Sequence, residues 1–206
     1  MELLDLNEFA EWVRQHVAGL DGWDGPPHAP EFSRPASASR FWCTRNAAHG
    51  ELYTVASILQ ALDPWETVWA WKHDPTWSFV LDDEDSPDPR YIWSTQHVWA
   101  NIVHGLGIPQ NFRGVIGFHG AELHVLLTLL FAQMHFGGCV DDDVFVLPDH
   151  GKQIVMISHH DVIHVSFVEG SRVDKFVDDL AREGIQLPDR PPDQTFKIPD
   201  WMSTRK

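Results

Sequence analysis

Apolar residues along this chain alternate between helical and strand spacing, and the alternation predicts most of its elements. Phe9, Trp12, Val13, Val17 and Leu20 make one stripe at helical spacing. Asp5 and Glu8 stand at capping-box spacing before it, so Asp5–Val17 reads as a helix closed by Gly19. A second helix is predicted over Ala47–Leu62, stopped by Asp63-Pro64. In Glu66–Lys72 the residues Val68 and Ala70 alternate with Trp69 and Trp71, the period of a strand, and Thr76–Leu81 reads as another short strand. Tyr91–Leu106 is helical with aromatic residues on every side, which predicts burial on more than one face. Val115–Phe118 suits a short strand, and Ala121–Phe136 is the most apolar helix, ended by Gly137-Gly138.

The last third has the clearest pattern. Asp143–Leu147, Gln153–Ser158 and Val162–Val168 read as strands, joined by turns at Pro148-Asp149-His150-Gly151 and His159-His160-Asp161. Turns this short force antiparallel pairing, so a three-stranded meander is expected. A helix follows from Ser171, with Ser171 and Asp174 at capping-box spacing, Val173, Phe176, Val177 and Leu180 on its buried face, and Gly184 as its cap. The fold class is therefore α+β: an antiparallel sheet containing the meander, packed with several helices. Pro26-Pro27, Pro30 and Pro35 divide the chain into an N-terminal helix over 1–20, a linker over 21–40 and one α+β domain over 41–206. The segment after Leu187 is proline-spaced and extended, with Phe196, Ile198 and Trp201 as anchors on the body.

Charge changes this picture from a generic domain to a strongly anionic one. Thirty Asp and Glu face fifteen Lys and Arg in 206 residues, a net charge of −15, while 43% of residues are hydrophobic, which excludes a disordered acidic tail. An acidic body repels nucleic-acid phosphates and anionic membrane surfaces and attracts basic partners. Glu2 and Asp5 stand where a secretory signal carries positive charge, and Val125–Met134 falls short of the roughly 20 apolar residues of a membrane span. A cytoplasmic setting without membrane contact is the expectation. Thirteen histidines add a conditional property: with ordinary values near 6.5, mild acid would cancel many of the negative charges and weaken a charge-driven complex.

Candidate chemistry is sparse. His159, His160, Asp161 and His164 are competent metal ligands. On one strand, however, His160 and His164 stand about 13 Å apart at roughly 3.3 Å per residue, whereas zinc donors converge within about 2.1 Å of the ion. The linear motif therefore encodes no metal site by itself, and no cofactor is expected. His97 and His104 are separated by about 10 Å along a helix, at about 1.5 Å per residue. At His119 and Glu122 the acid favours a helix N-terminus electrostatically. The nucleophile elbow, the phosphate loop and the dinucleotide fingerprint are missing from the sequence.

Cys43 lies just ahead of the expected helix at Ala47, where a helix dipole lowers a thiol pKa, and His160 opens the apolar strand Val162–Val168. A cysteine at a helix start followed by a histidine on a strand is similar to papain-like cysteine hydrolases, and implies Cys43 as nucleophile with His160 as base. Trp42-Cys43-Thr44-Arg45-Asn46 lacks the glycine-rich surroundings of that family. Six tryptophans between Trp65 and Trp99 (the others are Trp69, Trp71, Trp77 and Trp93) supply core and, where exposed, interface anchors. Taken together, these residues favour a binding protein for a basic protein partner, an immunity-type inhibitor of a basic toxin being one concrete form. The contact residues are Asp82, Asp83, Glu84, Asp85 and Asp88, with Asp141, Asp142 and Asp143 as a second patch. The alternative is a hydrolase using Cys43 and His160, or a metal-dependent enzyme using His159–His164.

Overall fold

In a computed structural model, the described residues are 1–20, 23–26, 28–30, 32, 39–44, 51–77, 95–136, 143–158 and 162–185. Of 39–44, 51, 95–97, 134–136 and 162 only the backbone is described. Their strands are β1 (Glu2–Leu4), β2 (Ser39–Thr44), β3 (Thr67–Lys72), β4 (Val115–His119), β5 (Val144–Pro148), β6 (Gln153–Ser158) and β7 (Val162–Phe167). The helices are α1 (Leu6–His16), α2 (Glu51–Ala61), α3 (Thr95–Gly105), α4 (Leu123–Phe136) and α5 (Arg172–Arg182). The strands form one sheet in the order β1-β4-β3-β5-β6-β7-β2, antiparallel at every pairing. The α+β class, the meander β5-β6-β7 and the helix after it are as the pattern predicts. Two strands are not: β1 and β2 form the two edges, and the pattern assigns neither. Of the expected strand Thr76–Leu81, Thr76 makes an isolated bridge to Arg113, and residues 78–81 lie outside the described residues.

At the centre of the sheet both faces are buried, and β3 shows why. Its small residues Val68 and Ala70 join a core with Ile58 and Leu59 of α2, Trp99 of α3, Leu126 and Leu130 of α4, and Phe176 of α5. Its large residues Trp69 and Trp71 join a second core on the opposite face, with Phe9 and Val13 of α1 and Val17 just beyond it. The fold is thus three layers, α1 on one side and α2–α5 on the other, because the period of two sends alternate side chains to opposite faces. Gly117 of β4 stands opposite Trp69, where a Cβ would lie 2.6 Å from Cζ3 of the indole. Only a residue without a side chain lets that ring lie flat on the neighbouring strand.

The helix ends follow local chemistry. Asp5 accepts from the backbone N–H groups of Asn7 and Glu8 at 2.8 Å, and Glu8 accepts from that of Asp5 at 3.0 Å, completing the expected capping box. At the end of α5, Gly184 takes a positive φ of 78°, and Ile185, buried at 2% exposure, donates its N–H to the Leu180 carbonyl at 2.9 Å. That closing turn ties the last carbonyls of the helix and buries an apolar residue beyond it. The Ser171–Asp174 capping box is a correction. Ser171 already has helical dihedrals and makes no side-chain cap. The amides of Arg172 and Val173 are instead taken by the carbonyls of Glu169 and Gly170 in a preceding turn.

Candidate partner-binding surface

The carboxylates lie outside the core. Among the described residues no Asp or Glu is buried; the buried polar set is Thr54, Ser57, Lys72, Gln133, Gln153 and Ser158. The acids instead cap and fringe the elements. Asp5, Glu8 and Glu11 are exposed on α1, and Asp174, Asp178 and Glu183 are exposed along α5. Asp179 is held below its ordinary value by hydrogen bonding to Lys175, with the charges of Lys175 and Arg182 adding to the effect. Such exposed pairs contribute little to stability but leave their field in solvent.

Of the expected contact residues, Asp82, Asp83, Glu84, Asp85, Asp88, Asp141 and Asp142 lie outside the described residues. Asp143 is half-buried just before β5, and its carbonyl accepts from the His73 N–H at 3.0 Å, which anchors the end of that patch beside β3. Trp69, Trp71, Trp77 and Trp99 are core residues and Trp65 is partly buried, while Trp93 is outside the described set.

The alternative chemistry is only partly placed. Cys43 stands on β2, opposite Ile163 of β7, with Trp42 opposite His164. The two segments of the cysteine–histidine reading are therefore neighbouring strands, although His159, His160 and Asp161 lie outside the described residues. Cys43 is followed in its strand by Thr44, and the described part of α2 is Glu51–Ala61, residues 45–50 lying outside the described set. His164 lies within β7, and among the described residues no group of three or more His, Cys, Asp or Glu could hold a metal ion. His119 and Glu122 behave as the pattern suggests. Glu122 accepts the His119 backbone N–H at 3.0 Å and pairs with the amine of Met1, and the hydrogen bond from that amine is the main cause of its lowered pKa.

Two features escape the sequence pattern. Lys72 ends β3 at 2% exposure, with Nζ 5.8 Å from the centre of the Trp77 ring. Burial pushes the nearby Asp74 upward, but hydrogen bonds from the Thr76 side chain and backbone and the charges of Lys72 and Arg113 outweigh it, leaving the carboxyl below its ordinary value. The second feature is a groove of about 580 Å³ where the chain turns back over α1, with Val13, Leu20 and Trp23 along its floor and Arg14 and Asp24 at its mouth. Gly25, at φ 88°, closes one end against Ala10. Hydrophobic spacing finds Val13 and Leu20 but not the groove, because its far wall comes from a stretch rich in proline and glycine. No protein-family model, curated protein or solved structure matches this chain.

Proposed function

We propose that this protein is an acidic binding module that captures a basic protein partner in the cytoplasm, with an immunity-type inhibitor of a basic toxin as its concrete form. The observation that carries the reading is the partition of charge: no described Asp or Glu is buried in a body whose two cores are aromatic and aliphatic. With a net charge of −15, such a body draws cationic surfaces over distances near a Debye length, about 8–10 Å at physiological salt, and raises the association rate more than the final affinity. The same field disfavours phosphate backbones. Among the described residues no helix is long and apolar enough to cross a membrane.

The test is kinetic. A partner captured from the native host at low salt is purified and its association measured against salt, for the wild type and for a variant with Asp82, Asp83, Glu84, Asp85 and Asp88 changed to their amides. The expected outcome is slower association and a shallower salt dependence in the variant. An identical on-rate at low salt removes that loop from the reading. A second reading, hydrolysis through Cys43 and His160, is favoured by the adjacency of β2 and β7. It predicts alkylation of Cys43 at a pH well below the ordinary thiol value of about 8.5; labelling of Cys43 only above that value discards it.

A further inference from the structure

We infer that the groove over α1 receives an arginine side chain of the basic partner, an inference that rests on the binding function proposed above. Asp24 is exposed at the groove mouth, and among the described residues no hydrogen bond or ion pair engages its carboxylate. Beside it, half-buried Trp23 is fixed from two directions: its indole N–H donates to the His28 carbonyl at 3.1 Å, and its ring packs on Trp71 at 5.4 Å between centroids. An aromatic surface fixed in place next to an unanswered carboxylate suits a guanidinium, which stacks on an indole while its planar fork meets the acid. A lysine ammonium meets the same acid as a point charge and gains less from the ring.

Charge around the groove agrees. Asp24 lines the groove and Glu11 stands beside its Arg14, so two carboxylates face the one guanidinium of Arg14. Arg14 is already engaged: Nη2 pairs with Glu11 at 2.7 Å and Nε donates to the Ala10 carbonyl at 3.3 Å, which turns its charge along the helix. The apolar floor of Val13 and Leu20 accepts the methylene stem of the incoming side chain, and about 580 Å³ leaves room for it with its water.

The test uses the full chain with a capped tetra-arginine peptide and a capped tetra-lysine peptide as probes, at about 20 mM salt so that screening is weak. Backbone-amide and indole NMR signals locate the contact. The expected result is that tetra-arginine shifts the signals of Ala10, Trp23 and Asp24, binds more tightly than tetra-lysine, and loses about three- to tenfold in affinity in Asp24→Asn. Equal affinity for the two peptides, or no loss in Asp24→Asn, overturns the groove. Shifts confined to Asp82–Asp88 and Asp141–Asp143 also overturn it while leaving the basic-partner reading intact. If neither peptide binds anywhere, both readings fall.

Discussion

Phe9→Ala tests most directly whether α1 is part of the cooperative body or a helix laid on it. Phe9 is fully buried, and its ring lies 5.3 Å from Trp71, 5.6 Å from Trp69, 5.8 Å from Trp12 and 6.2 Å from Trp23 between centroids. Truncation removes the transfer free energy of the ring, about 2–3 kcal/mol. It also leaves a void whose walls on the sheet side belong to β3, a strand paired on both edges and unable to collapse inward. At about 24 cal/mol per Å³, a residual void of roughly 50–80 Å³ adds about 1–2 kcal/mol. The expected loss is therefore about 3–5 kcal/mol, a large share of the roughly 5–15 kcal/mol that holds a typical domain. Urea unfolding followed by far-ultraviolet circular dichroism and by tryptophan emission measures it. The expected outcome is one transition, with both signals moving together to a lower midpoint. A loss under about 1 kcal/mol, or an emission change well before the loss of helix and strand signal, would falsify the view that α1 completes the second core.

Three further perturbations probe other parts of the argument. Gly117→Ala forces the Trp69 ring off β4 and should cost about 1–3 kcal/mol, read as a fall in melting temperature with altered near-ultraviolet circular dichroism; wild-type values would show that the ring does not lie there. Glu122 has a lowered folded-state pKa, so its contribution is present above its ordinary value of 4.5 and is lost as the pH falls through the folded value; Glu122→Gln should flatten the acid limb of stability against pH and leave its alkaline limb unchanged. Asp5→Ala removes the acceptor for two amides and should cost about 1 kcal/mol, restored in part by Asp5→Ser, whereas an equal loss in both variants would point away from capping.

Where neighbouring residues carry the signal, the fold was legible. Val68 and Ala70 against Trp69 and Trp71 announce a strand. The tight turn after Pro148 fixes the pairing of β5 with β6, and Asp5 with Glu8 marks the start of α1. The edges were not legible for two reasons. Glu2–Leu4 is too short to show a period, and the partners of Ser39–Thr44 lie far along the chain in β7. The Ser171–Asp174 spacing misled because capping depends on which amides remain free, and here a preceding turn takes them. At the surface, composition gave the sign of the charge and not its placement. Asp24 looks like any other acid in a proline- and glycine-rich stretch until the chain is seen to turn back over α1. Lys72 reads as the polar end of a strand, and only packing against Trp77 reveals it as an interior charge.

The order of strands in the sheet sets a schedule for folding during synthesis. β1 needs β4, and β2 needs β7, so both borders of the sheet are translated early and completed late. At about 5–20 residues per second, Ser39–Thr44 waits on the order of ten seconds for Val162–Phe167 to be made. Throughout that interval Ser39–Thr44 has no strand to pair with, and nascent chains are then most exposed to association with one another. Slow translation near the end of the message, or a shortage of chaperones, should therefore lower the yield of this protein more than that of a helical bundle of equal length.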